Sequence, residues 1–516
     1  MLMSRSARKA LTLAMMPTLS LPTTVTIAFI RILRSPNNIG SPPFGHRPFT
    51  GLTAKAPPNI MSAMLIAIAL AAYAVVLLSV ALASLRWGDS MENFLVAGRK
   101  QPKFLVVASM LASTIGGGIT IGTVQKAQTL GFAAFWFVAA GGFAHFLQGG
   151  LLSRKVRESE ALTMADLADR TAGSLARTLT SVIVLVTWTG IAAAQFVAVA
   201  RVLGTLVGFD HATSVAIAAA FIVVYTLIGG QKSVLRTDFF QFGVLALALL
   251  GSLAWLYFAQ PPAPDTIRID LFTAAFGPLD LLYYVVVIGG SYFICPMMFS
   301  RILSAKSPAD ARRSSFMSGI GMLGFALVLT FIGLWAAATG FDAGKLDPLN
   351  AIAKSVLPRP LGALLVFGLL AAILSTADTV LLTAAGIAQN DLVKKNSVLG
   401  VRLWTVAVGA VGAFVALFHM DVIGLLMKTY NGYTAGLVPA LFVALLFARF
   451  ENGASRRRPS AALFAVAIAL GYALGLAGSL AGTGALSKIL PLVGMTVSTL
   501  LSLLAFGTGE ARAMRT

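Results

Sequence analysis

Apolar windows of about 20 residues, the length of helix needed to cross about 30 Å of hydrocarbon, recur along this chain with short polar stretches between them. From residue 60 onward the pattern predicts about thirteen spans: near 60–86, 103–125, 132–153, 178–207, 212–229, 234–258, 280–302, 314–339, 360–391, 400–419, 421–448, 460–479 and 488–507. Val, Leu, Ala and Phe fill most of them without an alternating polar stripe, so they read as helices in lipid and not as strands of a barrel. Two windows carry helix breakers: Ser113-Thr114-Ile115-Gly116-Gly117-Gly118 in the second, and Gly289-Gly290-Ser291 with Pro296 following in the seventh. An unwound turn exposes backbone groups that lipid cannot satisfy, and a pair of interrupted helices in matching positions of two halves marks the binding site in transporters built from inverted repeats. Glycine pairs also serve close helix packing. Counted from the second window, the spans form two five-helix repeats, about 103–258 and 280–448, with one extra helix before them and two after. The predicted fold is an all-α polytopic membrane protein.

Composition narrows the picture. With 57% hydrophobic and 11% charged residues, the chain has more apolar surface than one soluble core can bury. The longest loops are too short for a separate soluble domain, which leaves the chemistry inside the membrane region of about 59–510. The net charge of +20 does not point to nucleic acid, because the basic residues are scattered between spans. They concentrate in alternate loops, at Arg99, Arg154, Lys155, Arg301, Lys394 and Arg456 among others. The positive-inside rule then places the C-terminal tail, 511–516, in the cytoplasm and the start of the first span outside. Residues 1–58, with Arg5, Arg8, Lys9, Arg31, Arg34, Arg47 and Lys55, work against that orientation. They read as an extension outside the fold, either a signal or transit segment or an over-extended start preceding Met61. The single cysteine, Cys295, excludes an intrachain disulfide and a cysteine metal cluster. His145 and His419 lack partners at metal spacing and read as packing residues. With no nucleophile beside a base, an enzyme is not expected, nor a cofactor.

The ninth window holds Ala371-Ala372-Ile373-Leu374-Ser375-Thr376-Ala377-Asp378. Two hydroxyls and a carboxylate inside an apolar span normally face a water- or ion-filled cavity. The bland alternative for Ser375 and Thr376 is back-bonding to their own helix. Asp378, two residues past Thr376, points about 200° away from it and either bonds a neighbouring helix or carries a proton. Asn431-Gly432-Tyr433 suggests an extra bend in the eleventh span. Trp188 and Gln195, seven apart, share one helix face, which either packs or lines a solute cavity.

Between spans five and six the chain reads Gly229-Gly230-Gln231-Lys232-Ser233-Val234-Leu235-Arg236-Thr237-Asp238-Phe239-Phe240-Gln241. This resembles a long, specific element of the sodium/solute symporter family, which includes the sodium/proline, sodium/pantothenate and sodium/glucose cotransporters. The block at 371–378 with Gln389-Asn390-Asp391-Leu392, the run Asn93–Arg99 and the run Arg301–Lys306 are similar to the family as well. The resemblance covers about 61–450. It implies a five-plus-five inverted-repeat fold with a sodium site between spans two and nine. Matched motif to motif, the sodium ligands fall on the carbonyls of Ala112, Ile115 and Ala372 and the hydroxyls of Ser375 and Thr376. Neutral oxygens of this kind hold a hard monovalent cation without trapping it. Asp238 takes the place of an aspartate tied to sodium passage toward the cytoplasm; its alternative is an interfacial pairing with Arg236 or Lys232.

The implied function is sodium-coupled import of a small organic solute by alternating access, across a bacterial-type inner membrane. Ser113, Thr114, Gly116, Gly117, Gly289, Gly290 and Ser291 would lie along the solute cavity. The solute classes left open are an amino acid, a monocarboxylate or a vitamin-like acid, and membrane lipid is the remaining partner. A proton-coupled transporter with Asp378 as carrier is the first alternative, and a transporter-like sensor the second.

Overall fold

The computed structural model describes residues 60–509, apart from short gaps at 85–89, 264–265, 345, 420, 452–453 and 483. The extension at 1–58 and the tail at 511–516 lie outside the described residues. In chain order the helices are α1 (Ile60–Ser84), α2 (Met91–Val96), α3 (Lys103–Thr114), α4 (Gly117–Leu130), α5 (Trp136–Leu147), α6 (Ser153–Glu158), α7 (Met164–Ala172), α8 (Ser174–Val207) and α9 (His211–Ala259). They continue with α10 (Pro278–Tyr283), α11 (Gly289–Phe293), α12 (Pro296–Ser304), α13 (Pro308–Ala338), α14 (Pro348–Ser355), α15 (Arg359–Ile387), α16 (Val398–Phe418), α17 (Val422–Phe447), α18 (Ala461–Leu480) and α19 (Ala485–Gly507). One short antiparallel hairpin, Phe450–Glu451 with Ala454–Ser455, joins α17 to α18.

Polar caps set where the helices begin. Thr163, Asp210, Ser307, Asp347 and Ser397 each accept a hydrogen bond from the backbone amide three residues on, satisfying one of the first-turn amides that a helix leaves unpaired. Proline opens α12, α13 and α14, where its missing amide removes nothing.

By length and apolarity, nine helices among the described residues can cross a membrane, or ten if the bent α10–α12 pair counts as one. The difference from thirteen has identifiable causes. The second predicted span is split into α3 and α4, each short, and α4 runs on through Gly131 toward α5 as one long apolar stretch. The fifth and sixth spans appear as the 49-residue α9. At 1.5 Å per residue such a helix is more than twice as long as one crossing needs. Gly230 breaks it with φ 58° and ψ −170°, a left-handed conformation that glycine adopts at little cost. A side chain there would also press on the Phe94 ring and carbonyl, so this glycine of the long motif is required twice over.

α15 is the central element, flanked by α8, α9 and α16 and touched by α3, α4, α12 and α14. Every residue from Gly368 to Leu382 is buried. Outward faces are apolar instead: Leu247, Phe258, Leu403 and Leu504 are all well exposed. That inversion suits a chain whose outer solvent is lipid.

Candidate functional site

The break between α3 and α4 brings carbonyl oxygens to the face of α15. Ile115 leaves the helix with φ −91° and ψ 53° and Gly116 is extended, with φ −74° and ψ 176°. The Ile115 amide still reaches the Leu111 carbonyl at 2.9 Å, and the amides of Ile119 and Thr120 both turn to Gly116. Among the described residues no backbone amide outside the helices bonds the carbonyls of Ala112 or Ile115. Gly116 lies directly against Thr376 and Gly117 against Ile373; a methyl group on either would overlap those side chains.

Opposite this turn, Thr376 donates its hydroxyl to the Ser113 carbonyl at 3.2 Å and to the Ala372 carbonyl at 3.0 Å. Ser375 donates to Asp238 Oδ1 at 2.5 Å. Neither hydroxyl is confined to back-bonding within its own helix. Each gives its proton to an acceptor on α3 or α9, which leaves oxygen lone pairs for another group. Thr114, by contrast, back-bonds to Met110 at 2.7 Å.

A buried ion pair stands beside these residues. Arg301 of α12 and Asp238 of α9 are both fully buried and meet at 3.0 Å. The Arg301 Nη2 also donates to Ser113 Oγ at 2.7 Å and Thr379 Oγ1 at 2.5 Å, and its Nε donates to Ser109 Oγ at 2.9 Å. Ser109 donates to Asp238 in turn. One guanidinium thereby ties together α3, α9, α12 and α15. Asp238 is therefore neither interfacial nor paired with Arg236, whose guanidinium reaches Ser84 instead. Sequence reasoning placed Arg301 among the loop basics. The usable signal was its position inside the apolar run Met297–Leu303, where an unpaired charge is not tolerated.

Asp378 is fully buried on the same helix. Its Oδ1 accepts from Thr379 at 3.3 Å, and the hydroxyl of Tyr225, from α9, stands beside its carboxyl. Just beyond α15, in the π turn Ala388–Val393, Asp391 is held by Arg177 at 2.9 Å and Thr163 at 2.5 Å, which accounts for the Gln389–Leu392 block structurally.

The second break lies five residues later than the glycine pair suggested. Gly289, Gly290 and Ser291 are helical within α11, after a π turn at Tyr284–Ile288; the chain unwinds at Ile294 and Cys295 and bends by 43°. Gly289 packs on the Ala140 carbonyl and Gly290 on Thr434, the close-packing role. Ser291 back-bonds to Ile288 at 2.7 Å. The freed carbonyls are covered: Gln148 donates to those of Phe293 at 2.9 Å and Tyr292 at 3.3 Å, and Tyr433 donates to that of Ile294. Asn431-Gly432-Tyr433 forms no bend; α17 is helical throughout, and Asn431 accepts from Tyr283 at 2.6 Å. Trp188 stands edge-on to Tyr433, with ring centroids 5.2 Å apart, so it packs on the residue that covers this break. Gln195 and His145 are buried, with the Gln195 Oε1 and both His145 ring nitrogens unpartnered among the described residues. His419 is exposed and contacts the Val415 carbonyl at 3.1 Å. Among the described residues no His, Cys, Asp and Glu side chains gather as a metal-binding group of three or more.

The helical core, with a break facing a hydroxyl-bearing helix, has the LeuT-type fold of its solved neighbours. The profile of the sodium:solute symporter family matches residues 94–457, and the chain belongs to that family. It is 27% identical over 415 residues to the high-affinity choline transporter 1 of Drosophila melanogaster, covering 74% of this chain and 66% of that one. It is 23% identical over 422 residues to the osmoregulated proline transporter OpuE of Bacillus subtilis, covering 75% and 85%. The Staphylococcus aureus sodium/proline symporter is 23% identical over 448 residues, covering 79% and 84%. Among solved structures, a Na+-coupled sialic acid symporter in a substrate-bound, outward-open state superposes with TM-score 0.70 at 15% identity, over 87% of this chain and 99% of that one. Mhp1, a nucleobase-cation-symport-1 family transporter, gives 0.59 at 16% identity, over 83% and 97%.

Proposed function

We propose that this chain couples sodium entry to the uptake of a small organic solute, by alternating access across a bacterial-type inner membrane with its C-terminus in the cytoplasm. The observation that carries the reading is the meeting of Thr376 with the α3–α4 break. The proposed sodium ligands are the carbonyls of Ala112, Ile115 and Ala372 and the hydroxyls of Ser375 and Thr376. A monovalent cation shedding its water needs several neutral oxygens. Both hydroxyls spend their protons on other acceptors and so present lone pairs, and two of the three carbonyls lie where the helix is interrupted. Asp238 acts next to that site through its bond to Ser375, on the ion's way toward the cytoplasm.

The thirteen-helix, five-plus-five arrangement, with repeats at about 103–258 and 280–448, is part of the same proposal. It uses the Gly230 and Gly131 breaks as span boundaries. A 150 mV potential supplies about 3.5 kcal/mol per charge and a tenfold sodium gradient about 1.4 kcal/mol. One ion therefore suffices to concentrate a neutral solute on the order of a thousandfold. The relatives named for proline and choline make these two compounds the first to try. Uptake into proteoliposomes, with sodium replaced by N-methylglucamine, tests the reading: solute accumulation should require an inward sodium gradient. Accumulation that persists without sodium and collapses with a protonophore would assign the coupling to protons.

A further inference from the structure

Where α6 meets the start of α13, the surface holds a groove of about 670 Å³ lined by Arg154, Glu158, Ser307, Arg312, Arg313 and Phe316 among others. Three guanidiniums face one carboxylate. Glu158 is taken by Arg154 at 2.7 Å, and Arg312 lies over the Phe316 ring at 5.7 Å. Neither Arg312 nor Arg313 has an ion-pair partner among the described residues, and both are exposed. Asp310, the acid nearest this helix start, is engaged by the Ser307 cap.

The groove stands at the end of two apolar stripes. On α13, Arg313 is followed at helical spacing by Met317 and Ile320, which are 45% and 65% exposed. On the packed neighbour, Arg154 is preceded by Leu151 and Leu147, 45% and 56% exposed. The helices touch tightly at that level, with Gly149 against the Phe316 ring and the Arg312 carbonyl. A long chain can therefore lie along the two faces but not pass between them. Exposed apolar stripes ending in unpaired arginines fit one kind of molecule, with an anionic head and acyl tails.

We infer that this groove is a binding site for an anionic phospholipid, its headgroup phosphate held by Arg312 and Arg313 with Arg154 at the rim and its acyl chains along Leu147–Leu151 and Met317–Ile320. Guanidinium forks pair bidentately with phosphate oxygens, and basic pockets between spans at the cytoplasmic face hold acidic headgroups. Neutral phosphatidylcholine carries a choline cation that would face the same arginines.

The test uses the purified full chain in neutral detergent, read by thermal unfolding and by native mass spectrometry of retained lipid. Phosphatidylglycerol should raise the unfolding midpoint by several degrees and remain as a bound adduct, and phosphatidylcholine should do neither. Arg312→Gln with Arg313→Gln should remove at least half of that rise while leaving the midpoint in phosphatidylcholine unchanged. The single exposed change Arg313→Gln should give an intermediate loss. Equal stabilisation by both lipids, or a full phosphatidylglycerol response in the double variant, would overturn the site. The same rise with soluble glycerol 3-phosphate would assign the groove to free phosphates and overturn the lipid.

Discussion

Two helices of the chain are interrupted, and they are finished differently. At the α3–α4 break the loosened turn faces α15; Thr376 donates to the Ser113 carbonyl, and among the described residues no backbone amide outside the helices bonds the carbonyls of Ala112 or Ile115. At the α11–α12 break the carbonyls of Tyr292, Phe293 and Ile294 are already taken by Gln148 and Tyr433. A broken helix is therefore not by itself an ion seat. What decides is whether the carbonyls freed at the break are already taken by neighbouring donors. The second break has another effect: it restarts the chain as α12, which delivers Arg301 into the cluster beside the first.

The comparison can be broken at several points. The largest effect is expected from Arg301→Met, which strands a buried carboxylate. Loss of one partner of a buried pair costs about 3–5 kcal/mol, and chemical unfolding in detergent should show it, with Arg301→Met plus Asp238→Asn recovering part of the loss. Tyr433→Phe should cost about 1–3 kcal/mol, because the buried Ile294 carbonyl loses its donor. That loss should leave the sodium half-saturation of uptake where it was. Gly116→Ala forces Thr376 aside at the first break, so sodium half-saturation should rise while the variant keeps a folded, monodisperse state. Ser291→Ala is the smallest: its hydroxyl only bonds its own helix, and both stability, within about 0.5 kcal/mol, and sodium dependence should be unchanged.

Much of this was legible in the residues. The apolar windows locate the helices because lipid imposes one solution on the backbone, and the Ile115–Gly116 break follows from three glycines after two hydroxyls. The sequence divides the spans near Gly131 and Gly230, while by length the helical stretches run on through both breaks. The second break was misplaced because Gly289 and Gly290 serve close approach to Ala140 and Thr434, a role that composition does not separate from unwinding. The Arg301–Asp238 pair was missed altogether. A basic residue near a span's end looks like a loop charge, and its partner lies 63 positions away. Asp378 shows the reverse case: its burial was readable, but its neighbour Tyr225 depends on how α15 packs on α9.

The central claim is that sodium is held by Ser375 and Thr376 against the α3–α4 break, and binding of radioactive sodium to the purified protein tests it most directly. Ser375→Ala with Thr376→Ala should raise the half-saturating sodium concentration tenfold or more, about 1.4 kcal/mol of lost binding, while Tyr433→Phe at the other break leaves it unchanged. Sodium binding that is the same in the double variant as in the unaltered chain would contradict the account.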